Sequence, residues 1–431
     1  MKVHKKALII TYYWPPAGGP GVQRWLKFAK YLPEFGIVPI VYCPENPSYP
    51  IIDNSLENEV SEGITVLKQP IKEPYALANL LSKKSSKQIS SGVIPKQKKQ
   101  TFIQKLMLYI RGNFFIPDAR KNWVKPSVSF LSEYISKHKI DTIITTGPPH
   151  SLHLIGLQLK EKHNISWLAD FRDPWTTIGY HKQLKLTKSS SEKHKNLESK
   201  VLQTADHIIV TSANTKKEFV LKTKQPITVI TNGYDSHQIE RPEKDSKFTI
   251  AHIGSLLSER NPKMLWEAMS ELVNENRTFS EAFQLHFIGL VSDEVLQTIQ
   301  QYGLSNHVQR LGYVSHDEAI MAQMSSRILL LVEIDSEDTK VIIPGKLFEY
   351  MASDTPILAV GPKDSDVETI LKTTNTGQYF YYNQKQAIKS QILSYFEAYN
   401  TNSLSVNAIG LQQYSRKALT KTLSDVLKDS L

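Results

Sequence analysis

Ala7-Leu-Ile-Ile-Thr-Tyr-Tyr-Trp14-Pro-Pro-Ala-Gly-Gly-Pro-Gly21 joins an apolar run to a turn made of proline and glycine, and Val22–Phe35 continues with helical periodicity. An apolar run bounded by breakers and followed by an amphipathic stretch reads as buried strand, tight turn and helix. Lys2, Lys5 and Lys6 before the run resemble the basic region of a signal peptide. The run is short, however, carries Thr11 and two tyrosines, and breaks into Pro15-Pro16 without a clear cleavage site, so a first buried strand is the better reading.

The same unit recurs along the chain. Apolar runs at Pro39–Cys43, Ile64–Gln69, Thr142–Thr146, Ser166–Asp170, His207–Thr211 and Thr228–Thr231 alternate with helical stretches at Pro126–Lys137, Leu152–Lys162 and Glu192–Gln203. Strands this apolar, separated by helices, predict a parallel sheet covered on both faces. Glu240-Arg-Pro-Glu-Lys-Asp-Ser-Lys247 lacks periodicity and reads as a linker. Beyond it the pattern restarts, with strands at Phe248–Ile253, Gln284–Ile288, Val308–Leu311, Ile328–Val332, Ile357–Val360 and Gln378–Tyr381. Helices are expected at Pro262–Glu275, Asp293–Tyr302 and Pro344–Ala352. The fold class is therefore α/β, with two Rossmann-like doubly wound domains. The expected division is 1–238, 239–410 and a C-terminal helix at 411–431 that packs back toward the first domain.

Composition narrows the function. The chain has 431 residues, a formal net charge of +10 and one cysteine, Cys43, which excludes an intramolecular disulfide and a structural Cys₄ or Cys₂His₂ zinc site. No run approaches the length of a membrane span. Between Lys83 and Lys125 stand 11 Lys/Arg and one acid, and the remaining bases and acids balance. The excess charge thus belongs to one insertion, 83–125, which also carries the apolar stretch Phe102–Ile110 and Phe114-Phe115. Cations beside an apolar helix suit an anionic membrane surface; the alternative is that Phe102–Ile110 packs into the core and the lysines are solvated. Aromatics are not interleaved with the cations, so no nucleic acid is expected.

Four stretches carry candidate chemistry. In the first turn, Gly18 and Gly19 let backbone approach a ligand, although the spacing is neither GxGxxG nor a P-loop. In Ile343-Pro-Gly-Lys-Leu-Phe-Glu-Tyr-Met-Ala352, Pro344 suits the first helical position. The amides of Gly345, Lys346 and Leu347 would then point at an anion. Lys346 adds charge, and Glu349, one turn on, suits the vicinal diol of a ribose. In Ala251-His-Ile-Gly-Ser-Leu-Leu-Ser-Glu-Arg-Asn-Pro-Lys263, Gly254 ends a strand, and Arg260 and Lys263 sit at a helix entrance. Finally, Ala169-Asp-Phe-Arg-Asp-Pro-Trp175 ends a first-domain strand; Asp173 is a candidate base, and Arg172 pairs with phosphate or with Asp170. Thr146-Gly-Pro-Pro-His150 ends the strand before it, and His150 either serves an acceptor or caps the next helix. Asp364-Ser-Asp366 spells a metal motif but lies where acids cap helices. The histidines show no HExxH, so no metal ligand set is assigned.

The ordered set resembles the family 4 nucleotide-sugar glycosyltransferases of the GT-B fold. It comprises the Gly-Gly turn, Thr231-Asn-Gly-Tyr-Asp235, Gly254 with Arg260 and Lys263, Arg310-Leu-Gly-Tyr-Val-Ser-His316 and the PGKLFEYMA stretch, and spans nearly the whole chain. The resemblance implies two domains facing across a crevice, the second holding a nucleoside diphosphate sugar as donor substrate, with no cofactor. It implies ribose binding by Glu349, diphosphate binding by Arg260 and Lys263, and base contacts from the Gly312–Val314 backbone, including Tyr313 and Val314. Gly18 and Gly19 would close over the phosphates. The family pattern has a second glutamate eight positions before Glu349, where this chain has Val341, and a first-domain histidine whose place is taken by the Ala169–Trp175 stretch. The expected activity is transfer of a sugar to an envelope-glycan or lipid-linked acceptor, retaining and metal-independent, by a cytoplasmic enzyme docked on the inner face of the plasma membrane. Two other readings fit the sequence: a nucleotide-sugar epimerase of the same fold, and a non-catalytic nucleotide-sugar-binding scaffold.

Overall fold

The computed structural model describes residues 5–73, 102–235 and 240–429. The part of the basic insertion at 83–101 lies outside them. The chain divides into two compact units, Met1–Asn232 with Arg416–Leu431, and Gly233–Ser415.

The first unit is built on a seven-stranded sheet of order β3-β2-β1-β4-β5-β6-β7. Its strands are β1 Lys5–Ile10, β2 Ile37–Pro44, β3 Thr65–Gln69, β4 Thr142–Gly147, β5 Ser166–Phe171, β6 His207–Val210 and β7 Ile227–Val229. Every pairing is parallel. Helices α1 (Pro20–Tyr31), α2 (Phe102–Phe114), α3 (Val124–His138), α4 (Ser151–Lys162), α5 (Lys188–Thr204) and α6 (Ala213–Phe219) complete it. Successive strand residues point to opposite faces. Leu8 and Ile10 therefore join a core with Trp123, Leu131, Ile155 and Trp167, while Ala7 and Ile9 join one with Trp25, Leu26 and Leu32.

The second unit has a six-stranded parallel sheet of order β10-β9-β8-β11-β12-β13. Its strands are β8 Phe248–Ile253, β9 Phe283–Ile288, β10 Val308–Gly312, β11 Ile328–Val332, β12 Ile357–Gly361 and β13 Gly377–Tyr381. Around it lie α7 (Lys263–Glu275), α8 (Asp293–Gln301), α9 (His316–Ser325), α10 (Lys346–Ala352), α11 (Asp366–Thr374) and α12 (Lys385–Asn400). Two expectations need adjustment. The 240–247 stretch is no free linker, because Lys244 donates to Ser326 O and Thr355 Oγ1, and Asp245 N donates to Ser325 O. In the 411–431 segment, Leu411–Tyr414 is a short turn of the second unit; the helix, α13, runs Arg416–Asp429. It lays Leu419, Leu423, Val426 and Leu427 into the core that contains Trp25 and Leu26 of α1.

In each sheet the strand order reverses beside the first strand, between β1 and β4 and between β8 and β11. Ligands of doubly wound sheets bind at the carboxyl ends of strands at such a reversal, because the crossover helices diverge there. Chemistry-bearing residues are thus to be sought after Ile10, Gly147 and Phe171 in one unit, and after Ile253 and Val332 in the other.

Candidate active site

In the second unit, β8, β9 and β10 each end in a glycine with positive φ: Gly254 at 106°, Gly289 at 117° and Gly312 at 68°. Gly289 has no space for a side chain, since a Cβ would meet Gly254 O at 2.7 Å. Its amide donates to Gly312 O at 2.5 Å. Three strand ends therefore form a side-chain-free floor that backbone-contacting ligands can approach. Tyr313 and Val314 follow Gly312 in an exposed loop, with Tyr313 97% exposed.

Lys346 reaches this floor from the first turn of α10. Its Nζ donates to Ile253 O at 2.9 Å, lies 3.2 Å from His252 Nε2, and would be 3.4 Å from a Cβ on Gly254. His252 is buried, and its Nδ1 lies 3.0 Å from Leu330 O. Burial, with Arg260 adding to it, brings Lys346 down to about 7, and burial beside Lys346 holds His252 well below its usual range. Arg260 follows in the turn after β8, its Nη1 donating to Ser255 O at 3.4 Å. Its Nε is buried with no hydrogen-bond partner among the described residues. A buried, unsatisfied guanidinium nitrogen is a group that a bound anion would satisfy.

The expected helix start is corrected in detail. Helix α10 begins at Lys346 with Gly345 as its cap residue, and Leu347 N already donates to Pro344 O at 3.0 Å, so the Leu347 amide is not available to an anion. The same turn holds Pro344 and Gly345 against Leu347 and Phe348, both buried. Glu349 is partly exposed, and its Oε2 accepts a long 3.4 Å bond from Gln323 Nε2. That leaves most of its accepting capacity for a ligand. Lys263 is exposed at the first residue of α7, whereas Arg260 is turned in.

Glu333, directly after β11, was not among the expected site residues. It is buried, and accepts from Ser365 Oγ at 2.9 Å and Tyr379 Oη at 2.7 Å. Burial raises it to about 7, against those hydrogen bonds and Arg260. Its sequence signal was an acid immediately after a fully apolar strand at the sheet reversal. Ser365, not either aspartate of Asp364-Ser-Asp366, caps α11 by accepting from Val367 N.

In the first unit, Asp170 is a structural anchor. It accepts from Arg24 Nη2 and Thr146 Oγ1 at 2.8 Å and from Trp25 Nε1 at 2.9 Å, all buried. Arg24, not Arg172, is therefore the partner of Asp170. Arg172 instead turns toward the glycine turn. Its Nη2 donates to Pro148 O, its guanidinium lies 5.7 Å from the Tyr13 ring centroid, and a Cβ on Gly21 would meet Nη1 at 1.8 Å. Arg172 Nε is buried without a described partner. Gly18 is pinned by its amide to Ile51 O at 3.0 Å, while the Cβ side of Gly19 is open.

Asp173 is partly buried, and burial raises its pKa against the pull of Arg172. His150 occupies the cap position of α4 but makes no side-chain cap bond. It stacks on Trp175 at 4.9 Å, both ring nitrogens lack described partners, and burial holds it neutral, well below its usual range. Among the described residues no group of three or more His, Cys, Asp or Glu could hold a metal ion.

Two parallel doubly wound units, one of seven strands and one of six, are the architecture of the GT-B glycosyltransferases. Residues 235–408 match the glycosyl transferases group 1 family, and residues 93–238 match glycosyltransferase family 4. The chain belongs to these glycosyltransferases. A glycosyltransferase from Rickettsia africae ESF-5 is similar at 15% identity, covering 99% of both chains with a TM-score of 0.62. Anabaena Alr3699/HepE in complex with UDP is similar at 13% identity, covering 99% of this chain and 100% of that one, with a TM-score of 0.62. The lipopolysaccharide outer core galactosyltransferase WaaB in its apo form gives 13%, 99% and 100%, and 0.58. Among curated proteins none matches the chain in sequence.

Proposed function

We propose that this glycosyltransferase moves a sugar from a nucleoside diphosphate donor, with retention and without a metal ion, to an envelope-glycan or lipid-linked acceptor at the inner face of the plasma membrane. The observation that carries the donor assignment is the convergence of Lys346, Arg260 and the Gly254-Gly289-Gly312 floor at the sheet reversal, with Glu349 one turn along α10. HepE was solved with UDP, and WaaB is by name an envelope enzyme; both support the donor and acceptor classes. In the reaction the bond between the sugar C1 and the diphosphate oxygen breaks and the acceptor oxygen bonds to C1. The diphosphate leaves against Arg260, Lys346 and Lys263, which stabilise its developing charge. The acceptor proton passes to a phosphate oxygen or to Asp173, whose raised pKa brings it closer to that of a useful base at neutral pH. Arg172 and His150 are assigned to the acceptor, and Gly18 and Gly19 to the donor phosphates.

A panel of nucleotide sugars scored by thermal stabilisation identifies the donor, since a ligand at 100 times its Kd adds about 2.7 kcal/mol. Incubation of that donor alone must leave the sugar unaltered; interconversion to another sugar would assign the protein to epimerisation instead. Glu349→Ala is expected to weaken donor binding by at least about tenfold, the worth of one lost charge-assisted hydrogen bond. Unchanged affinity by calorimetry would remove the ribose assignment.

Donor affinity should also depend on pH with a defined sign. Free Lys346 titrates at about 7, and a bound diphosphate favours its charged form. Binding above that pH takes up a proton, so affinity is greatest below it and falls by up to about tenfold per pH unit above it. Glu333, also at about 7, acts in the same direction by gaining negative charge near Arg260. Calorimetry across this range on Lys346→Met isolates the lysine: the variant should bind more weakly and show a shallower dependence.

A further inference from the structure

We infer that the outward face of α2 is a docking surface for an anionic lipid bilayer. This rests on the membrane-located acceptor of the proposed function and names the surface that would bring the enzyme to it. Leu106, Tyr109, Ile110 and Phe114 stand at i, i+3, i+4 and i+8, hence on one face, and are 46%, 40%, 39% and 62% exposed.

The opposite side of α2 fixes this orientation. Leu108 is buried, and Gly112 presses so closely on the 184–186 segment that a Cβ would meet Leu184 O and Leu186 Cδ2 at 2.7 Å. Asn113, one turn on from Tyr109 and so on the side of the exposed face, ties the end of the helix to the same segment: its Nδ2 donates to Lys185 O at 3.3 Å and its Oδ1 accepts from Thr187 N at 2.8 Å. The helix is therefore clamped with its apolar side turned out. Of the two readings of Phe102–Ile110 offered by the sequence, full burial in the core does not hold for Leu106, Tyr109 and Ile110.

The charges around the face select its occupant. Lys105 on α2, Lys185 beside Asn113 and Lys188 at the start of α5 are exposed, and Lys121 lies 5.3 Å from the Phe115 ring. The acid closest in sequence to α2, Asp118, is occupied by the amide and hydroxyl of Ser151. Glu192 stands one turn beyond Lys188 on α5. The insertion as a whole carries 11 bases and one acid. An apolar strip with a cationic rim matches the acyl boundary and the anionic headgroups together. A second copy of this face would set like charges against each other, and a nucleic acid would gain nothing from its aliphatic centre. Among the described residues no helix is long and apolar enough to cross a membrane, so α2 lies along the surface rather than through it.

The test uses the full chain and sedimentation with two vesicle types, phosphatidylglycerol mixed with phosphatidylcholine and phosphatidylcholine alone. Binding is expected to the first, to fall with added salt, and to drop by at least about tenfold in the double variant Leu106→Asp, Ile110→Asp. Both positions are exposed, so this variant should keep the wild-type thermal stabilisation by nucleotide sugar, which separates loss of docking from loss of fold. Absence of wild-type binding, equal binding to both vesicle types, or undiminished binding by the variant would each overturn the proposal. So would self-association of the wild type that the variant abolishes without any vesicle binding, which would give the face to a second copy. If the wild type binds anionic vesicles but no nucleotide sugar stabilises it, the donor reading fails while the docking surface stands.

Discussion

Asp170→Ala is expected to destabilise the first unit by about 3–5 kcal/mol, the range for removing one partner of a buried ion pair. The cost comes from what is left behind. Arg24 would remain fully buried with one guanidinium bond, to Thr231 O at 2.8 Å, and Trp25 Nε1 and Thr146 Oγ1 would each lose their acceptor. Arg24 and Trp25 lie on α1, Thr146 on β4 and Asp170 on β5, so one carboxylate ties together the elements that flank the sheet reversal. Because the chain has two compact units, thermal unfolding need not be a single transition. The variant should lower the transition of the first unit and leave that of the second within error. Asp170→Asn keeps an acceptor for one or two donors and should cost less. A shift under about 1 kcal/mol in Asp170→Ala would show that water replaces the carboxylate and that the network is not an anchor.

The second large effect is expected in turnover. Arg260→Ala should lower kcat/KM by about 10²–10³-fold, the scale seen when one preorganised donor to a developing negative charge is removed. The Arg260 Nε is buried without a described partner, and burial lowers the Arg260 pKa, offset by Tyr382, Glu333 and Glu259. A diphosphate arriving there meets a group that is already partly desolvated. Arg260→Lys should recover only part of the loss, because an ammonium cannot present the guanidinium fork. If Arg260→Ala changes only KM, and by less than about tenfold, the residue serves ground-state binding and the electrostatic role falls.

The alternation of apolar runs and amphipathic stretches was enough to place every strand of both sheets, because a parallel strand buried on both faces leaves a continuous apolar signature. Strands Phe248–Ile253 and Ile328–Val332 have the predicted limits. The positive φ of Gly254 and Gly312, both singled out in the sequence, reflects a local backbone requirement at a strand end; Gly289 meets the same requirement without a motif to mark it. What the sequence hid was pairing across distance. Arg24 and Asp170 are 146 residues apart, and nothing near either marks the other. Arg172 is two residues from Asp170 and would share its face if the strand went on, but β5 ends at Phe171 and the chain turns Arg172 toward Gly21. Glu333 and His252 were passed over because burial, rather than residue type, gives them their altered ionisation. The missing acid at Val341 remains a true departure of the sequence, and Glu333 does not fill its position.

The placement of α13 has a consequence for how the protein is made. Leu423 and Leu427 are fully buried in the first unit, beside Trp25 and Leu26, although they follow the whole second unit in sequence. Until the ribosome has translated the second unit entirely, α1 packs on the sheet alone and lacks the cover of α13. The first unit must therefore wait, partly open, while the whole of Gly233–Ser415 is made. A message truncated anywhere upstream of Arg416 would yield an incomplete first unit as well as a shortened second one, and such products are natural clients for chaperones and proteases.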